Sequence, residues 1–202
     1  PGPVLVDIPK DVQEASIVPD WDAPMNLPGY AVNLHKARPA QVKQVAAAIK
    51  LARRPIIYAG GGINLSGASP QLRELVHKTG IPVTMTVMGL GAFPAEHEQS
   101  LHMLGMHGTV YANFAVDKAD LLLAFGVRFD DRVTGKFEAF AKHGKIVHID
   151  IDPDQIGRNV PVEVPVVGDA KALLRELAPM VSNTPRPDWM HYIENLKRDH
   201  PS

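Results

Sequence analysis

Residues 120–135 read DLLLAFGVRFDDRVTG, and this stretch decides the fold that the sequence predicts. Leu121 to Phe125 form a continuous apolar run, which is typical of a strand buried on both faces of a parallel sheet. The run stops at Gly126. Because ligands of open α/β sheets bind beyond the carboxyl ends of the strands, the loop that begins at Gly126 is a candidate binding site.

This loop carries four charges within five residues, namely Arg128, Asp130, Asp131 and Arg132. A planar guanidinium makes paired hydrogen bonds to phosphate oxygens, so two arginines can hold two phosphates. The carboxylates could orient those arginines or accept hydrogen bonds from sugar hydroxyls. A solvated charged turn explains the loop equally well if it is considered alone.

The rest of the chain alternates predicted strands and helices. Apolar runs of strand length also occur at 55–59, 82–86, 145–150 and 164–167. Helical stripes with start and stop signals occur at 39–52, 69–80, 109–118 and 169–179. This alternation predicts an α/β fold, a Rossmann-like doubly wound parallel sheet of about six strands with helices on both faces.

The composition excludes several classes of function. The chain has 202 residues, 45% of them hydrophobic, a net charge of −1 and no cysteine. It therefore has no disulfide or thiolate metal site, and no field that would attract nucleic acid or a membrane. No signal peptide is visible and no apolar run approaches the roughly 20 residues that span a bilayer. We expect a cytoplasmic location, with no nucleic acid and no membrane as partner.

Glycine-bearing loops follow two further predicted strands. Gly60, Gly61 and Gly62 allow close approach of a ligand, and their amides suit a pyrophosphate. The triplet is a weak signal, because it lacks the full G-x-G-x-x-G spacing and serves as often in a plain turn. Thr86 to Gly89 take the same place after the next strand, where Met88 offers either apolar surface for a flat ring or core packing.

The RFDDRVTG loop, together with Leu104-Gly105-Met106-His107-Gly108, resembles the catalytic subunit of the acetohydroxyacid synthase (acetolactate synthase) family. Enzymes of that family are thiamine-diphosphate carboligases that also carry FAD. The resemblance covers nearly the whole chain and implies the middle, FAD-binding domain of three. The implied reaction condenses two pyruvates, or pyruvate and 2-ketobutyrate, with loss of CO2 in branched-chain amino-acid biosynthesis.

The resemblance also implies which residues bind FAD. Leu104 to His107 would line the flavin, Asp150 and Ile151 would meet the adenosine part, and 168–170 would close the adenine pocket. The full predicted set is Gly60, Gly61, Gly62, Thr86, Val87, Met88, Gly89, Leu104, Gly105, Met106, His107, Gly126, Arg128, Asp130, Arg132, Val133, Asp150, Ile151, Gly168, Asp169 and Ala170. For His107 a hydrogen-bonding or packing role is favoured over metal binding or proton transfer. No catalytic residue and no metal site is predicted.

The predicted domain organisation also follows that resemblance. Residues 1–12 would end a preceding thiamine-binding domain, with a strand at Val4–Pro9, and 13–38 would be a linker. The FAD-binding domain would be 39–183. Residues 184–202 would lead to a third domain through an amphipathic helix, marked by Trp189, that has no partner in this chain.

The partners implied by the family lie mostly outside these residues. Thiamine diphosphate and Mg²⁺ belong to the full-length enzyme and are not bound by this chain, which we expect to be non-catalytic by itself. The full-length catalytic subunit would form a homodimer or tetramer and bind a regulatory small subunit. Two alternatives remain: the central domain of a pyruvate oxidase or glyoxylate carboligase, and a nucleotide-binding or structural module without flavin.

Overall fold

A computed structural model describes residues 5–24 and 36–201, and its central element is a six-stranded parallel sheet. The strands are β1 (Pro55–Ala59), β2 (Val83–Met85), β3 (Ser100–Met103), β4 (Leu121–Phe125), β5 (Lys145–Asp150) and β6 (Val164–Val167). Their spatial order is β3-β2-β1-β4-β5-β6, and every neighbouring pair is parallel. The order reverses between β1 and β4, which makes their carboxyl ends the switch point of a doubly wound sheet. The predicted fold class is confirmed.

Helices cover both faces of the sheet. In chain order, the α-helices of the described residues are α1 (Lys10–Glu14), which belongs to a separate unit, α2 (Pro39–Leu51), α3 (Gly61–Leu65), α4 (Ser69–Thr79), α5 (Val110–Lys118), α6 (Asp131–Thr134), α7 (Ala170–Leu177) and α8 (Pro187–Asp199). One apolar core joins α2, α4 and α7 to one face of the sheet, and a second joins α5 and α8 to the other. Both faces of β4 are buried, as its uninterrupted apolar run predicts.

Local signals in the sequence place the helix ends. The Thr109 side chain accepts a hydrogen bond from the amide of Ala112 at the start of α5. Asp169 does the same for Ala172 at the start of α7. Gly80 ends α4 in the left-handed conformation that glycine adopts without a Cβ clash. Strand β3 is the strand of this sheet that the sequence did not reveal, since its four residues form no apolar run and pair with β2 in an irregular register.

Helix α8 packs into the domain, so the prediction that it has no partner in this chain is wrong. It lies against α5, and Trp189 is only 3% exposed. The indole Nε1–H donates to the carbonyl of Pro55 at 3.1 Å. The apolar stripe of α8 was visible in the sequence, but the surface that receives it exists only after α5 and the start of β1 come together. That 184–202 lead on to a third domain stays a prediction.

The chain divides into two compact units, Pro1–Asn33 and Leu34–Ser202. Within the described residues of the first unit, the secondary structure consists of α1. Residues 5–9 form no strand, so the predicted strand at Val4–Pro9 is wrong over that range. Val4 itself and residues 25–35 of the predicted linker lie outside the described residues. A strand needs a pairing partner, and the expected partner was a different domain. Throughout 5–24 and 36–201, the helices are too short or too polar to cross a membrane.

Candidate functional site

The turns after β1 and β4 pack directly on each other at the switch point. The amide of Gly60 donates to the carbonyl of Phe125 at 2.9 Å, and that of Gly62 donates to the carbonyl of Gly126 at 3.2 Å. A Cβ at Gly60 would overlap the Gly126 carbonyl, and Gly126 has φ +59°. The close contact between the two turns therefore explains why Gly60 and Gly126 are glycine. It also uses the amides of Gly60 and Gly62 in hydrogen bonds within the protein, although the sequence had assigned these amides to a pyrophosphate.

The turn after β2 presents apolar side chains at this edge. Val87 is 66% and Met88 73% exposed, which rules out the core-packing alternative for Met88. Thr86 accepts a hydrogen bond from the amide of Gly89 through its hydroxyl, at 2.9 Å, and so caps this turn. The side chain of Asn64, which sequence reasoning missed, donates to the carbonyl of Met88 at 2.9 Å and holds the turn against α3.

The loop after β3 meets the charged loop after β4. Gly105 has φ +104°, and its Cα lies so close to Val133 that a Cβ would be 2.9 Å from the Val133 Cα. The amide of Met106 donates to the carbonyl of Arg132 at 2.9 Å. Leu104 is buried, whereas Met106 and His107 are exposed. The structure thus brings together two motifs that lie more than twenty residues apart in sequence.

Asn113 on α5 is a second residue that the sequence analysis missed. Its side-chain amide donates to the carbonyl of Gly105 at 3.1 Å, and its oxygen accepts from the Gly105 amide at 3.3 Å. Asparagine in a helix carries no signal of such a role, because its partner is a loop that only the fold brings near.

Phe129 anchors the charged loop. Its φ of +52° is a left-handed conformation that costs a non-glycine residue about 1–3 kcal/mol. The buried ring lies between Tyr58 and His148, with ring centroids 5.8 Å and 5.0 Å away. Tyr58, Ala124 and His148 are paired across β1, β4 and β5, so the small Ala124 leaves room for this ring. The burial of Phe129 holds the strained turn in place.

The charged side chains of the loop point to solvent. Arg128 pairs with Asp130 at 3.2 Å, and the Arg128 side chain is 75% exposed. Asp130 also accepts a hydrogen bond from the amide of Arg132 and caps α6, so its carboxylate organises the loop. Asp131 and Arg132 are exposed. An exposed pair of this kind contributes at most about 1 kcal/mol to stability, which leaves both guanidinium groups available to an anionic ligand.

Beneath the loop lie two buried polar groups. The Nε2–H of His148 donates to the carbonyl of Val127 at 2.9 Å, and Nδ1 has no partner among the described residues. Burial lowers the pKa of His148, opposed by that hydrogen bond and by the charge of Asp150. Burial also raises the pKa of Tyr58, with a smaller contribution from Asp130. Both groups are therefore neutral and act as packing surfaces for Phe129.

The ends of β5 and β6 complete this edge. Asp150 accepts a hydrogen bond from the amide of Asp152, and burial raises the pKa of its carboxyl. The amide of Gly168 donates to the Asp150 carbonyl at 2.8 Å, which joins the two strand ends. The Asp152 side chain accepts a hydrogen bond from the amide of Asp154 and caps the turn at 153–155. Ile151 is 48% exposed, whereas Gly168 and Ala170 are buried.

The predicted site residues therefore lie along one edge, because all six strands are parallel and their carboxyl ends share it. Five intervals between strands give that edge a length of about 24 Å. Within the described residues, no three His, Cys, Asp or Glu side chains cluster as metal ligands. A cleft of about 850 Å3 lies elsewhere, at the amino ends of β1 and β4.

Comparison with known proteins decides the family. Residues 42–177 match the model for the central domain of thiamine pyrophosphate enzymes. The chain belongs to the thiamine pyrophosphate enzyme family. The resemblance found in the sequence is thereby confirmed at the level of the family and its central domain.

Curated relatives of this thiamine pyrophosphate enzyme domain are acetolactate synthases. The chain is 54% identical over 208 residues to "Acetolactate synthase 1, chloroplastic" of Oryza sativa subsp. japonica, covering all of this chain and 32% of that protein. It is 52% identical, with the same coverage, to the protein of that name from Zea mays. The Arabidopsis thaliana "Acetolactate synthase, chloroplastic" is 52% identical over 184 residues, which cover 91% of this chain and 27% of the relative. The chain thus spans about a third of the length of these relatives.

The cytoplasmic location expected from the sequence is wrong by this comparison, because the relatives of this thiamine pyrophosphate enzyme domain are named chloroplastic. Delivery to an organelle is directed by a transit peptide, a separate segment that is not part of the folded domain. The composition of a catalytic or cofactor-binding domain therefore carries no information about location.

Proposed function

We propose that this chain is the FAD-binding central domain of a plastid acetolactate synthase. The observation that carries the proposal is the carboxyl edge of the sheet. There the exposed guanidinium groups of Arg128 and Arg132 lie on the same edge as the exposed apolar side chains of Val87, Met88 and Met106. The similarity to acetolactate synthases supports the choice of ligand.

The residues present fit an elongated dinucleotide. Two exposed cations suit a pyrophosphate, since guanidinium and phosphate form paired hydrogen bonds. Apolar side chains near β2 and β3 suit a flat ring system, and the ends of β5 and β6 suit an adenosine. A ligand of this shape matches an edge about 24 Å long better than a compact one does.

The proposed division of roles follows the strand order. Leu104, Gly105, Met106 and His107 would contact the flavin, together with Thr86 to Gly89. Gly61, Arg128 and Arg132 would bind the pyrophosphate, with Asp130, Gly126 and Val133 shaping that part of the site. Asp150, Ile151, Gly168, Asp169 and Ala170 would contact the adenosine.

The chemistry proposed for the whole protein lies largely outside these residues. The parent enzyme would condense two pyruvates, or pyruvate and 2-ketobutyrate, with loss of CO2. Thiamine diphosphate and Mg²⁺ would supply that chemistry from other domains, while FAD in this domain would be structural. A homodimer or tetramer with a regulatory small subunit is the proposed assembly. A full-length protein that consumes pyruvate without forming acetolactate would favour the pyruvate oxidase alternative.

Thermal unfolding with added FAD tests the proposal. A ligand present at a hundred times its dissociation constant stabilises a protein by about 2.7 kcal/mol, so FAD should raise the melting temperature of this chain. NAD should not, because the G-x-G-x-x-G fingerprint is absent. A shift with NAD and none with FAD would overturn the flavin assignment.

A matched pair of variants locates the site. Arg128→Gln/Arg132→Gln removes the two exposed guanidinium groups of the charged loop after β4 and should abolish most of the FAD-induced shift. Lys43→Gln/Arg175→Gln removes two exposed cations on α2 and α7, away from this edge, and should leave the shift unchanged. Equal losses in both variants would show that FAD binds through general electrostatic attraction.

A further inference from the structure

A cleft of about 850 Å3 opens at the amino ends of β1 and β4, on the edge opposite the candidate FAD site. Its walls are the end of α2, the segment leading into β1, the end of α5 and the first turn of α8. This volume lies in the range of small-molecule sites, roughly 300–1,000 Å3. The proposed function uses none of the residues that line it.

The lining is strongly cationic in a chain whose net charge is −1. Five lysines and arginines line the cleft against two carboxylates: Lys50, Arg53, Arg54, Lys118 and Arg186 against Asp120 and Asp188. A concave surface of one sign focuses the field that it creates. The cleft is therefore an attractive site for an anion unless its cations are already paired.

The Asp120 carboxylate is occupied by backbone amides. It accepts hydrogen bonds from the amide of Arg53 at 2.8 Å and from that of Arg54 at 2.9 Å. These bonds hold the backbone of both arginines at the rim of the cleft, while the side chains remain exposed. Asp120 thus holds the backbone of Arg53 and Arg54 and forms no ion pair with either guanidinium group.

Arg186 neutralises the floor of the cleft. Its guanidinium donates to the carbonyl of Ile49 at 2.9 Å and to that of Ala52 at 3.1 Å. Both carbonyls belong to the carboxyl end of α2, whose partial negative charge would otherwise repel an anion. Because Arg186 pairs with these carbonyls, their partial negative charge does not cancel the positive charge of Arg53 and Arg54 at the rim of the cleft.

Three cations remain for a ligand. Lys50, Arg53 and Arg54 form no ion pair with any described residue, whereas Lys118 pairs with Asp117 at 3.1 Å. The rings of Trp189 and Tyr192 stack at the same cleft with centroids 5.6 Å apart and planes 11° apart. Trp189 is buried behind Tyr192, which is only half-buried. A flat ring and a cluster of free cations thus share one concavity.

We propose that this cleft binds a nucleoside diphosphate or triphosphate. The phosphates contact Arg53, Arg54 and Lys50, and the base stacks on the outer face of Tyr192. Guanidinium pairs match phosphate geometry, and aromatic rings accept any base by stacking. The exposed Asp188 carboxylate, which also lines the cleft, is an acceptor for ribose hydroxyls.

Tryptophan fluorescence separates this cleft from the candidate FAD site. The chain has two tryptophans, and Trp21 is 88% exposed in the other compact unit. In a Trp21→Phe chain, Trp189 becomes the sole reporter and lies in the cleft. Titration with ADP should change its emission saturably. Pyrophosphate should compete with ADP, and adenosine should bind more weakly than ADP because it lacks the phosphates.

Charge variants decide whether the cations of the cleft cause the binding. Arg53→Gln/Arg54→Gln should weaken ADP binding by about tenfold or more, since each lost charge-assisted contact is worth up to a factor of that size. Lys43→Gln/Arg175→Gln removes two exposed charges away from the cleft and should have little effect. The proposal is overturned if ADP causes no saturable change, or if both pairs weaken it equally. It is also overturned if a glutamate-rich peptide saturates the signal and ADP does not.

Discussion

The two edges of the sheet are built in opposite ways. At the amino edge, polar side chains turn inward and donate to backbone carbonyls: Trp189 to Pro55, and Arg186 to the end of α2. At the carboxyl edge, Arg128 and Met88 are mostly exposed, while the backbone turns beneath them are packed tightly. The amino edge joins α8 to the domain by side chains, whereas these side chains at the carboxyl edge are left exposed to solvent.

This difference shows which parts of each edge contribute to stability. A buried donor that is lost leaves an unsatisfied carbonyl, so the inward side chains at the amino edge are costly to remove. Exposed charges contribute little, so those at the carboxyl edge can be exchanged without unfolding the domain. The following predictions test this contrast, from the largest expected effect to the smallest.

Trp189→Ala should destabilise the domain by about 3–5 kcal/mol, because it leaves a cavity under α8 and an unpaired carbonyl at Pro55. Urea unfolding measures the change in free energy. Trp21→Ala is the matched control and should change stability by less than about 0.5 kcal/mol, since that ring is exposed. Similar losses in the two variants would mean that α8 is not part of the cooperative unit.

Gly126→Ala should cost about 2–5 kcal/mol, from a positive φ and from overlap of the new Cβ with the Cα of Gly62. Gly80→Ala also has a positive φ, +67°, but its Cβ would meet only the side chain of Gln99, at 3.5 Å. It should cost about 1–2 kcal/mol. The difference between the two, measured by thermal or urea unfolding, reports how tightly the turns at the carboxyl edge are packed. Equal costs would contradict that packing.

His148 should make stability depend on pH. Its folded pKa lies below the unfolded value of about 6.5, so the unfolded chain takes up the proton first. This contribution to stability is present above about pH 6.5 and is lost as the pH falls toward the folded pKa. If folding weakens proton binding to the imidazole tenfold, the protein loses about 1.4 kcal/mol of stability over this pH range. In urea unfolding between about pH 5 and pH 8, the free energy of unfolding should change less steeply with pH in His148→Gln than in the parent chain. Parallel curves for the two proteins would exclude the buried imidazole as the cause.

Arg128→Gln/Arg132→Gln should change the free energy of unfolding by less than about 0.5 kcal/mol, because both side chains are exposed. Arg186→Gln, a single change at the amino edge, should cost about 1–3 kcal/mol by leaving the carbonyls of Ile49 and Ala52 unpaired. Chemical unfolding of the two variants and the parent chain compares the edges directly. A larger loss of stability in the Arg128→Gln/Arg132→Gln variant than in Arg186→Gln would contradict the proposed difference between the two edges.

The sequence by itself determined the fold class, four strands to the residue and the helix caps at Gly80 and Asp169. These features depend on the chain near each residue: an apolar run such as Leu121 to Phe125, a capping oxygen at Asp169, a glycine at position 80. It also placed the predicted site residues on one edge, because parallel strands direct all their following loops to the same side. The family resemblance extended this to a choice of cofactor.

Only the tertiary structure decided which surfaces meet. The stripe on α8 was readable, but its burial against α5 was not, because residues far apart in sequence form that groove. The same holds for the Phe129 ring between Tyr58 and His148, and for the pairing of Gly62 with Gly126. A local pattern reports what a residue prefers to bury, whereas the identity of its neighbour depends on the path of the whole chain.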